Sequence, residues 1–143
     1  MPVKIDDRIS VGAVIFQYVS DTKPPKNKYY IVVGINEQSE EVLVGTIYIN
    51  SEVNPYHRNN PKTGALQVPI TASENTFLHH DSFIDCSSIY PKRYEDVLKC
   101  VSDGTGRYGY HNNVSEELLS EVISKLRSAP TISAHVKRSF GII

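Results

Sequence analysis

At 143 residues the chain has the length of a single domain, and a chain of that size buries roughly 68–70% of its unfolded surface, enough to fold without a metal or a disulfide. Hydrophobic residues make up 40% of it and charged residues 22%, which excludes a disordered or collagen-like chain. Fifteen Lys and Arg against sixteen Asp and Glu leave a net charge of −1, so any attraction for nucleic acid has to be local.

The two cysteines, Cys86 and Cys100, are too few to staple a small secreted fold. Each lies in or beside an apolar run, where a free thiol packs as a small hydrophobe. No apolar stretch approaches the ~20 residues of a bilayer span, and residues 1–10 lack the hydrophobic core of a signal peptide. A soluble, reduced, cytoplasmic protein with no membrane partner is expected.

The first strand signal is Val11 to Val19, dense in β-branched and aromatic residues. It stops at Ser20–Lys28, where two prolines and three lysines forbid a regular ladder. Tyr29 to Ile35 is apolar at nearly every position, which predicts a strand covered on both faces. Asn36–Glu40 is a polar turn, and Glu41 to Ile49 completes a hairpin. Asn50 to Ala65 is a long polar loop, a length that is usually functional or mobile. Leu66–Thr71 is a short strand that Pro69 confines to an edge or a bulge, and Asp81–Ile89 is a further strand. Tyr94–Val101 fits a strand or a short helix equally. Ser102–Asn113 has the composition of a glycine-rich linker.

Val114–Ser128 then carries Val114, Leu118, Leu119, Val122, Ile123 and Leu126 at helical spacing. Ser115 suits its N-cap, Glu116 and Glu117 suit its first turn, and Pro130 ends it. Thr131–Phe140 is a second short helix, with Ile132, Val136 and Phe140 on one face and Lys137 and Arg138 on another. Strands followed by helix belong to the α+β, mainly β or small-barrel class. The organisation is a β domain over residues 1–101, a linker over 102–113 and a helical segment over 114–143 packed on the β domain.

Gly104-Thr-Gly106-Arg-Tyr-Gly109 matches G-x-G-x-x-G but lacks the βαβ context of a dinucleotide site, so it reads as linker. His79, His80 and Asp81 are adjacent, and neighbours on a strand face opposite ways, so no metal is expected there. A turn in which Asp81 or Ser82 bonds its own backbone is expected instead. The lysines Lys23, Lys26 and Lys28, followed at once by Tyr29 and Tyr30, combine cations with aromatic faces. That combination suits a single nucleic-acid strand, although a solvated lysine loop has the same composition.

In order and spacing these elements resemble the PemK/MazF family of toxin ribonucleases. Gly12-Ala-Val14-Ile-Phe16 stands in the place of that family's first strand, and Lys28-Tyr-Tyr-Ile-Val-Val in the place of its "R-P-x-V-V-L". Leu43 to Ser51 matches the third strand and the Thr/Ser-bearing turn after it. Leu78-His-His-Asp-Ser82 to Ile89 and the helix Val114–Ser128 match the later segments. The resemblance implies an SH3-like small barrel with a C-terminal amphipathic helix, usually a homodimer. It also implies a metal-independent endoribonuclease with no cofactor, acting on single-stranded RNA in a toxin–antitoxin or phage-defence system and neutralised by a cognate antitoxin protein.

Carried over by position, Lys28 is the phosphate-stabilising cation and Ser51 its hydroxyl partner, with Asn50 an alternative donor. Lys23, Lys26 and Tyr29 are expected to contact RNA, and Arg93 to add a phosphate contact. His57, in the loop after the third strand, is a candidate base by residue type, its ordinary pKa lying near neutrality. Two departures stand out. The family's arginine is Lys28, a point charge in place of a planar fork, and the proline after it is Tyr29. The competing expectations are a barrel without chemistry that binds nucleic acid or protein, and a structural partner using its tyrosines as an interface.

Overall fold

One antiparallel sheet of seven strands organises the chain, curled into a half-barrel, in a small α+β protein that is mainly β. The computed structural model describes residues 4–38 and 40–143. Its strands are β1 Ala13–Val19, β2 Lys26–Asn36, β3 Leu43–Asn50, β4 Gln67–Ile70, β5 Ser82–Asp85, β6 Tyr90–Arg93 and β7 Gly109–Asn113. They run in the order β4-β5-β3-β2-β1-β7. β6 joins the same edge of β3 as β5: β5 pairs with Ile49 and Asn50, and β6 with Leu43 to Thr46.

The near-continuous apolar run of β2 has the expected consequence, a strand covered on both faces. One face carries Val14, Ile31, Ile47 and Ile84, packed with Val122 and Leu126 of α4 (Glu116–Ser128) and with Phe140 and Ile142 beyond α5 (Ala134–Ser139). The other carries Ile15, Tyr30, Val32, Val44 and Tyr48, packed with Tyr94, Val97 and Val101 of α3 (Tyr94–Asp103). The segment compatible with strand or helix is therefore a helix, since its buried residues fall three and four apart.

Two glycines explain how α5 reaches the sheet. Gly34 and Gly45 face each other across β2 and β3, and a Cβ on Gly45 would stand 2.8 Å from the ring of Phe140. One on Gly34 would stand 2.6 Å from Phe140 Cβ. The pair leaves the slot into which Phe140 packs.

Several boundaries differ from those expected. β2 begins at Lys26, so Lys26 and Lys28 lie on the strand and the preceding loop is shorter. The long loop after β3 contains two single-turn helices, α1 (Pro55–Arg58) and α2 (Pro61–Gly64), capped by Asn54 and Asn60. Ser39 of the expected polar turn lies outside the described residues. The segment 102–113 is not a linker: α3 runs to Asp103, and β7 pairs with β1, Gly109 lying opposite Phe16. An edge strand half open to water needs no apolar alternation, and the sequence Gly-Tyr-His-Asn-Asn carries none.

β4 is an edge strand, as Pro69 requires. Ser115 caps α4 by accepting from the Leu118 amide at 3.1 Å. On α5, Lys137 is buried rather than outward, because its ammonium donates to the Arg127 carbonyl at the end of α4 at 2.8 Å. No helix among the described residues is long and apolar enough to cross a membrane.

Candidate nucleic-acid interface

The start of β2, the end of β3 and the turn before β5 come together at one end of the sheet and enclose a groove of about 380 Å³. Lys26, Asn27, Lys28 and Tyr29 line it from β2, Ile49 and Ser51 from β3 and just beyond, and Phe16 from β1. Leu78, His79, His80 and Ser82 close a second side, and Arg107 of the α3–β7 loop a third. Two lysines, an arginine and two imidazoles share this lining with Phe16 and Tyr29, and no carboxylate is among them. A chain of net charge −1 thus holds a locally cationic, aromatic-floored groove.

Lys28 is its most constrained cation. The side chain is 8% exposed, its ammonium donates to Asn50 Oδ1, and it lies 5.7 Å from the centre of the Tyr48 ring. Burial, with help from the charge of Lys26, pulls its pKa down to about 8. Asp85 opposes that shift from β5. Asp85 is itself held by Gln67 Nε2 at 2.9 Å, the Ser87 amide at 3.0 Å and the Ser87 hydroxyl at 2.5 Å.

Behind Lys28, on the same face of the sheet, is a second polar cluster. Lys92 on β6 donates to the Tyr48 hydroxyl at 2.7 Å and lies 3.5 Å from Asp21, which accepts from the Tyr48 hydroxyl. Its ammonium is 4.9 Å from the Tyr48 ring centre, so Lys28 and Lys92 flank one tyrosine. Burial lowers the pKa of Lys92 and raises that of Tyr48.

The expected site residues fall into two groups. Lys26, Lys28, Tyr29, Asn50 and Ser51 converge at the groove, Asn50 through its bond to Lys28. Lys23, His57 and Arg93 are not in its lining. Lys23 is exposed on the β1–β2 loop. Arg93 ends β6 and pairs with Glu41 at 3.0 Å and Glu95 at 3.2 Å. His57 on α1 turns Nε2 toward Asp85 at 3.8 Å, while its Nδ1 is buried with no hydrogen-bond partner among the described residues.

Arg107 and Asp85 are the residues that sequence reasoning missed, and His79 and His80 were weighed only as metal ligands. The turn expected at His79–Ser82 does form, with Ser82 Oγ donating to the His80 carbonyl at 3.1 Å, yet the same turn delivers both histidines to the groove. The available signals were local: Arg107 stands close to Tyr108 and Tyr110, and Asp85 interrupts the apolar residues Phe83, Ile84 and Cys86. No family model matches the chain, and no curated protein matches it in sequence.

Proposed function

We propose that the protein is a metal-independent endoribonuclease of the PemK/MazF kind, built on an SH3-like barrel and cutting single-stranded RNA that lies in the groove. The observation that carries this reading is a groove whose lining joins Lys26, Lys28, Arg107 and Ser51 to Phe16 and Tyr29 without a carboxylate, with Asn50 bonded to Lys28. A phosphodiester strand needs cations for its phosphates and flat faces for its bases, and the groove supplies both. The toxin role, the cognate antitoxin and a homodimer belong to the same proposal.

Cleavage requires the 2′-hydroxyl to lose its proton, attack the adjacent phosphorus and expel the 5′-oxygen, which takes up a proton. The products are a 2′,3′-cyclic phosphate and a 5′-hydroxyl. With a pKa of about 8, the Lys28 amine is protonated in roughly nine of ten molecules at pH 7, so it meets the crowded phosphate as a cation. Asn50 accepts from Lys28 through Oδ1 and keeps its amide N–H groups to donate to a phosphate oxygen, as does the Ser51 hydroxyl.

For the proton, the groove offers His80. Its Nδ1 lies 3.1 Å from the Asp81 carbonyl, and a proton held there leaves Nε2 as the acceptor. His57, with one nitrogen facing Asp85 and the other buried, is less suited to receive it.

Induction of the wild-type chain in bacteria is expected to arrest growth and to create new 5′-hydroxyl RNA ends, in vitro also with EDTA present. Lys28→Ala is expected to abolish both. Normal growth and intact RNA with soluble wild-type protein would overturn the nuclease. A variant that loses only affinity and salt dependence would leave an RNA-binding module.

A further inference from the structure

A cation covers the aromatic floor of the groove. The rings of Phe16 and Tyr29 lie 4.5 Å apart centre to centre, and Phe77 and His111 meet Tyr29 at 5.1 and 5.2 Å. Arg107 lies over this floor, its guanidinium carbon 4.6 Å from the Phe16 centre and 5.4 Å from that of Tyr29. Nη2 donates to the Tyr29 hydroxyl at 2.9 Å. Among the described residues no carboxylate stands within 4 Å of this guanidinium. A full positive charge therefore rests on two ring faces and a phenol oxygen.

The loop that carries Arg107 is exposed from 102 to 108. A Cβ at Gly106 would meet nothing within 4 Å, and its φ of 60° is one that glycine adopts freely. Arg107 can thus leave the rings without disturbing the core.

We propose that Phe16 and Tyr29 form a nucleobase subsite for single-stranded RNA, covered by Arg107 in the free protein, and that Arg107 transfers to a neighbouring phosphate when a base stacks in its place. The proposal rests on the RNA reading above and adds which residues hold a base. A guanidinium and a base are both planar, so one replaces the other on the same rings. Stacking of a base on an aromatic side chain is stronger than the hold of a ring on a solvent-exposed cation such as Arg107. The displaced arginine then gains charge-assisted bonds to phosphate oxygens. Recognition by stacking accepts any base, so this subsite adds affinity without sequence preference.

The test uses fluorescence anisotropy with two labelled 2′-O-methyl heptamers, which lack the attacking hydroxyl: an intact strand and a fully abasic one. Wild-type protein is expected to favour the intact strand by about tenfold or more. Phe16→Leu is expected to lose that preference while holding the abasic strand as before, and Tyr29→Leu makes the same comparison if Phe16→Leu does not fold. Arg107→Gln is expected to lower the slope of log affinity against log salt by about 0.7 for the intact strand and to leave the abasic slope unchanged. Equal wild-type affinity for both strands overturns the base subsite and leaves the RNA reading standing. An intact-strand slope unmoved by Arg107→Gln overturns the exchange. Binding of neither strand overturns the RNA reading itself.

Discussion

Replacing Lys28 with Met is expected to make the protein more stable at neutral pH while removing the proposed RNA cleavage. Burial has brought this ammonium from an ordinary 10.5 to about 8. At 1.36 kcal/mol per pH unit, the folded state carries a cost of about 3 kcal/mol for holding the charged form. Water in the open groove screens part of that cost, and Met also forfeits the bond to Asn50, about 1 kcal/mol. A net gain of about 1–2 kcal/mol remains. Its pH dependence identifies its origin. Below pH 8 folded and unfolded chains both hold the proton, so the cost is full and constant. Between 8 and 10.5 only the unfolded chain holds it, and wild-type stability from this group rises with pH. Above 10.5 neither holds it, and the cost is gone. Urea unfolding at pH 7, 9 and 10.5 reads this directly. With a denaturant slope of about 1–3 kcal/mol per molar, the Met variant should unfold roughly 0.3–2 M later at pH 7. The advantage should vanish by pH 10.5. A variant less stable than wild type at pH 7, or a difference that does not change with pH, would refute the reasoning.

Gly45→Ala drives a methyl group to 2.8 Å from the Phe140 ring and is expected to cost about 1–3 kcal/mol in urea unfolding. In a Phe140→Leu background the penalty should shrink, and an equal penalty in both backgrounds would show that the slot is not the cause. Ser115→Ala removes the acceptor for the Leu118 amide and is expected to cost about 1 kcal/mol, whereas Ser115→Asp should be close to neutral. Thermal unfolding of the three proteins checks this, and an alanine variant as stable as wild type would contradict it.

What could be read in the sequence was whatever one segment decides for itself. The apolar run Tyr29 to Ile35 demanded cover on both faces and has it in two cores, one with α4 and one with α3. Ser115, two glutamates and Pro130 marked the ends of α4 within two residues of where they lie. The candidate site is different, because four of its groove-lining or charge-setting residues depend on pairing between distant segments. Arg107 reaches Tyr29 only because β7 pairs with β1, and nothing in Gly-Tyr-His-Asn-Asn marks an edge strand. His79 and His80 belong to a turn whose composition explains itself locally, so their delivery to Lys28 comes from β5 pairing with the last two residues of β3.

The charge state of Lys28 is likewise a property of the fold. Its spacing placed it at the entrance to a strand, but its low pKa needs the burial, Lys26 beside it and Asp85 from another strand. That dependence bears on the proposed role, because the PemK/MazF resemblance implies an arginine where Lys28 stands. An arginine keeps its charge under such burial, and a lysine does not. With Lys28 near 8, the charge that the proposal assigns to phosphate binding is half lost within one pH unit above neutrality. RNA affinity should therefore fall between pH 7 and 9 in the wild type, and Lys28→Arg should hold it flat. A wild-type affinity as flat as that of the arginine variant would mean that Lys28 does not meet the phosphate.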